Sequence, residues 1–96
     1  MTKETRQLLL NYDFKYTQQE VLCKTFKDFR VVVDTIDNKI LISVKSTTSH
    51  DTGSLVTITP TGLVSEADLV WPIVYAICLT VERKQQYAAT QRKHNV

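Results

Sequence analysis

Eighteen residues, FRVVVDTIDNKILISVKS from Phe29 to Ser46, constrain the fold more than any other part of the chain. β-Branched residues crowd both halves. Such side chains pack well on a pleated surface and lose rotamer freedom in a helix. Between the halves stands Asp37-Asn38-Lys39, a turn composition. The spacing predicts a hairpin with strands near 30–36 and 40–46. In the second strand Ile40, Ile42 and Val44 share one side, and Leu41, Ser43 and Lys45 the other. That is the period of a sheet with one covered face. The polar stretch from Ser46 to Ser54 reads as a loop, and LVTIT at 55–59 as a third strand. Pro60-Thr61-Gly62 then turns the chain, which completes a three-stranded antiparallel meander.

Helices are expected on both sides of the meander. Thr17-Gln18-Gln19-Glu20 has the form of a capping box, in which a hydroxyl and a carboxylate satisfy the first N–H groups of a helix. Leu22, Phe26 and Phe29 follow at helical spacing, so a short helix is placed at about 18–28. Before it, Leu8 to Leu10 suit a short helix. The alternation of Tyr12, Phe14 and Tyr16 suits a strand or an extended arm. Residues 1–16 are thus a helix or an arm. Ser65-Glu66-Ala67-Asp68 opens the last helix, read over 65–93. Pro72 stands at its seventh position, where it removes the bond to Asp68 and clashes with that turn, so a kink or a break is expected there. The 96 residues form one α+β domain, α–β–β–β–α, with residues 17–64 holding the first helix and the meander.

Bulk properties exclude several classes. An apolar fraction of 43% with 23% charged residues is that of a globular chain. The net charge of +2 is too small to imply nucleic acid by itself. Its distribution is more informative, because Arg83 to Val96 holds four Lys/Arg and no acid. Cys23 and Cys78 lie in apolar segments, lack a C-x-x-C partner and have no histidine nearby, so buried thiols are expected, with a single disulfide between the two segments as the alternative, and no metal or cofactor. The most apolar stretch, Leu69 to Val81, has thirteen residues, against about 20 for a membrane span. No signal peptide is recognisable, and a cytoplasmic location is expected.

Asp51-Thr52-Gly53-Ser54 resembles the active-site tetrapeptide of aspartic proteases, and the chain length is close to a subunit of the retroviral type. The resemblance would imply a dimer with two Asp51 carboxyls sharing a proton across a water. It covers four residues. In that family an apolar strand carries the motif into the core. Here Thr47, Thr48, Ser49 and His50 precede it, and a glycine-rich flap is missing. An Asx turn in a loop is the preferred reading. The α–β–β–β–α order is also similar to that of double-stranded-RNA-binding domains. Those begin their second helix with lysines that meet phosphates, where this chain has Glu66, Ala67 and Asp68. Ser49, His50 and Asp51 are neighbours and cannot converge as a catalytic triad. No enzymatic chemistry is predicted.

The last helix carries the functional expectation. LVWPIVYAICLTV is apolar almost all round, and a surface helix needs only one apolar face. Val70, Trp71, Val74, Tyr75, Ile77 and Val81 are the candidate partner or dimer surface. The expected role is binding another protein, as a small regulator or inhibitor acting as a homodimer. Short chains without a recognisable motif are common among virus- and phage-encoded accessory proteins. The alternative is nucleic-acid or acidic-partner contact through Lys24, Lys27, Arg83, Lys84, Tyr87, Arg92 and Lys93.

Overall fold

The computed structural model describes the backbone of residues 1–48 and 52–94 and the side chains of residues 1–48 and 55–85. Helix α1 (Lys3–Asn11) leads into β1 (Lys15–Tyr16), β2 (Leu22–Thr25), β3 (Phe29–Ile36), β4 (Lys39–Ser46), β5 (Thr52–Ile58) and helix α2 (Glu66–His94). The strands form one antiparallel sheet of five, in the order β1-β2-β3-β4-β5. The α+β class is as expected, but the meander has five strands, not three. The central hairpin lies where the sequence put it. Its turn is the two-residue Asp37-Asn38, both at positive φ (50° and 62°), the geometry that matches the twist of the flanking strands.

The helix expected at 18–28 is instead a second hairpin. Thr17 does accept backbone N–H bonds, from Gln19 (3.2 Å) and Val21 (3.3 Å), yet the turn folds back on itself. The Thr17 N–H donates to the Val21 carbonyl at 2.8 Å, and Glu20 adopts φ of 61°, outside any helix. A hydroxyl that satisfies nearby N–H groups serves a tight turn as well as a helix start. Leu22 and Lys24 then point to one face of the sheet and Cys23 to the other.

The helix before the sheet is α1. Thr2 caps it, with its hydroxyl accepting from the Thr5 N–H at 3.2 Å. It ends where the sequence suggested an arm. Asp13 takes φ of 66°, the Phe14 N–H donates to the Leu9 carbonyl at 3.0 Å, and the Asp13 N–H donates to Leu10 at 3.2 Å. This is a Schellman ending, and the accompanying apolar contact joins Leu9 and Phe14, both buried.

Both helices cover one face of the sheet. Leu22, Val31, Val33, Ile40, Ile42 and Ile58 meet Leu9, Phe14, Val70, Val74, Cys78 and Val81 there in a single core. The opposite face, with Cys23, Val32, Ser43 and Leu55 in one cross-strand row, carries no helix. Helix α2 starts as predicted, with Ser65 Oγ accepting from the Asp68 N–H at 3.1 Å. It runs as one element through Pro72. Pro72 and Asp68 are both exposed, so the carbonyl that the proline leaves without an N–H lies on the solvent side. With 29 residues α2 is about 43 Å long, which accounts for the elongated 52 × 25 × 22 Å molecule.

Candidate interaction surfaces

Helix α2 divides into arcs. Ala67, Val70, Val74, Cys78 and Val81 recur at three- and four-residue spacing and are buried against the sheet. Val70, Val74 and Val81 therefore belong to the core of a single chain and not to a partner surface. A five-stranded sheet with α1 beside it covers a wider arc of the helix than a three-stranded meander would. Ile77 is half-buried against the same core, and Trp71 is half-buried. Tyr75 alone among the six expected contact residues is exposed, at 42%.

Trp71 and Tyr75 lie on the flank that meets α1. The Tyr12 ring, just past the end of α1, stands edge-on to Trp71 at 5.2 Å and tilted to Tyr75 at 5.8 Å. Burial holds the Tyr12 hydroxyl above its ordinary pKa, and nearby Cys78 and Glu82 add to the effect. Lys24 completes the group. Its ammonium sits 3.7 Å from the Tyr12 ring centroid and donates to the Tyr12 carbonyl at 3.0 Å. That carbonyl closes α1, where unpaired C=O groups and the helix dipole favour a cation. Lys24 is therefore a structural cap, not a free surface cation, because β2 directs it under the helices.

The arc pointing away from the sheet carries Pro72, Tyr75, Ala76 and Thr80, all exposed, with Leu79 half-buried beside them. The Thr80 hydroxyl donates to the Ala76 carbonyl one turn back, at 2.9 Å. Its polar group is satisfied inside the helix, so it offers mainly a methyl group to solvent. This arc has no charged side chain from Leu69 to Thr80.

Past its middle, α2 carries exposed cations. The Asp28 N–H donates to Gln85 Oε1 at 2.9 Å, which fastens the β2–β3 turn to the helix. The same turn is held from β4, as the Thr47 N–H donates to the Asp28 carbonyl at 3.0 Å. Exposed Lys27 thus stands near the stretch of α2 that carries exposed Arg83 and Lys84. Two residues that the sequence reading missed join them. Arg30 and Lys45 are direct cross-strand neighbours on the helix-free face. Like charges so placed repel, and only the strand register brings them together. The side chains of Tyr87, Arg92 and Lys93 lie outside the described residues.

Both thiols are buried and unpaired. Burial pushes Cys78 up to about 11, so it is neutral and unreactive at physiological pH. Cys23 lies on the other side of the sheet, which separates it from Cys78. Thr52 and Gly53 of the D-T-G stretch are in β5 rather than in a loop, while His50 and Asp51 lie outside the described residues. Among the described residues no three His, Cys, Asp or Glu side chains are grouped as a metal site requires, and no helix is long and apolar enough to cross a membrane.

Compared with known families, characterised proteins and solved structures, the chain matches none.

Proposed function

We propose that this chain is a cytoplasmic, non-enzymatic binding module, a small regulator or inhibitor that works as a homodimer by contact with another protein. The observation that carries the reading is the uncharged outward arc of α2, Pro72-Tyr75-Ala76-Thr80, left open after the core is complete. Apolar surface that a domain does not need for its own core marks interaction sites, and an exposed tyrosine at its centre is a typical anchor. The two unpaired thiols fit a reducing compartment. Ala76→Arg tests the role of this arc. In a pull-down from the native host, the variant loses the wild-type partner while its melting temperature stays within about 2 °C. Retention of that partner by the folded variant would contradict the reading.

A second reading is favoured by the clamp between Asp28 and Gln85, which sets Lys27 beside the Arg83-Lys84 pair. With Arg30 and Lys45 on the helix-free face near the same turn, these cations are suited to phosphates. Measurable affinity for duplex that falls steeply with salt supports it. Undetectable binding at low salt excludes it.

A further inference from the structure

We infer that two copies of this chain join along the outer edge of β5, continuing the sheet across a two-fold axis perpendicular to it. Among the described residues β5 ends the strand order and pairs with β4 alone. A sheet edge presents a row of unpaired N–H and C=O groups, and proteins guard such edges by shortness, charge, proline or bulges. At the opposite edge the guard is shortness, because β1 has 2 residues. In β5 a guard covers only the first part. Between the pairs Ser43↔Leu55 and Lys45↔Thr52 the register slips, a bulge that puts Gly53 and Ser54 opposite Val44. From Leu55 to Ile58 the register is unbroken. The next proline is Pro60.

Charge points to a second copy rather than a different partner. Across a two-fold axis a residue near the axis meets its own copy, so any charge there meets its like. The chain has 12 Lys/Arg and 10 Asp/Glu, yet none falls between Thr52 and Ser65. Large apolar side chains are exposed in that same segment, Leu55 at 62% and Leu63 at 90%. Helix α2 extends the surface. Trp71 and Tyr75 take the flank towards α1, which itself lies over β1 and β2, since Met1 and Arg6 share a cleft with Tyr16, Glu20 and Leu22. At about 100° per residue, Ile73 stands about 160° round the helix from Trp71. Leu69, Ile73 and Ile77 thus line the flank on the β5 side, each partly buried. Edge-to-edge pairing sets these flanks of the two α2 helices towards each other above the joined strands.

The inference rests on the dimer reading and not on the identity of any partner. Two measurements on the full chain test it: deuterium exchange of the β5 amides across a concentration series, and mass by light scattering with Leu55→Lys. Leu55 is too exposed for the lysine to disturb the core. Thr57→Lys, at another exposed position on the same strand, repeats the test should the first variant fail to fold. The expected result is that amides within Leu55–Ile58 slow by at least about tenfold as dimer forms, and that a lysine on β5 weakens dimerisation by at least about tenfold through like-charge opposition. A dimer whose β5 amides exchange at the monomer rate overturns the inference and leaves the dimer reading standing. So does a folded lysine variant that dimerises like the wild type. A chain that stays monomeric at tens of micromolar overturns both.

Discussion

Single residues decide the local turns, and the sequence shows some of them plainly. The turn at Asp37-Asn38-Lys39 was legible, to within one residue, because a short polar stretch between two β-branched runs has few other uses. Thr17-Gln18-Gln19-Glu20 was not, because the same hydroxyl-to-amide bonds serve a tight turn or a helix start, and only the pairing of β1 with β2 selects between them. Asp13, Glu20 and Asn38 all hold positive φ at some cost, so each is open to improvement. Asp13→Gly is expected to raise stability by about 0.5–1 kcal/mol in denaturant unfolding. Lys24→Ala should lower it by about 1–2 kcal/mol, by removing the cap on the Tyr12 carbonyl and the cation over the Tyr12 ring. Had Lys24 been a free phosphate contact, the same change would leave folding stability untouched. Glu66 gives a pH signature. Partial burial works to raise its carboxyl, but hydrogen bonds from Thr2 and Thr5 and the N-terminal ammonium outweigh burial and hold it below 4.5, its ordinary value. A lowered folded-state pKa contributes stability that is fully present above the unfolded value and lost as pH falls through the folded one. Melting temperature should therefore drop in acid more in the wild type than in Glu66→Gln.

At the scale of elements, the strongest signals were the central hairpin and the start of α2, where periodicity, turn residues and caps agree. The flanking elements were harder. α1 has only 9 residues, and its Schellman ending at Asp13 uses a residue other than glycine. β1 and β2 have 2 and 4 residues, too short for a period to establish itself. The candidate surface on α2 was half legible. An excess of apolar residues could be seen, but which of them face the sheet depends on how many strands lie beneath. Pro72 was expected to break or kink the helix. The helix is not broken there, and the missing N–H affects a carbonyl on the solvent side. Pro72→Ala should restore that bond and raise stability by about 1–3 kcal/mol, visible as a higher thermal midpoint. No rise would mean that the surrounding turns compensate for the proline in some other way.

The whole molecule is a sheet covered on one face, with a helix longer than the sheet it crosses and two unlike ends. One end holds the tie between Thr2 and Glu66, 2.8 Å long. Towards the other, Lys27, Arg83 and Lys84 lie near Gln85. The thiols should be silent in the native state. Cys78, held near 11 by burial, and buried Cys23 should react with a thiol reagent only after unfolding. Rapid labelling of either one in the folded chain would show that its covering elements open. The proposed dimer uses surfaces that the core of a single chain leaves open. The most direct test is its mass by sedimentation equilibrium at tens of micromolar. A dimer gives twice the chain mass of 11.0 kDa, and a mass of 11.0 kDa at every concentration would mean that the chain acts alone.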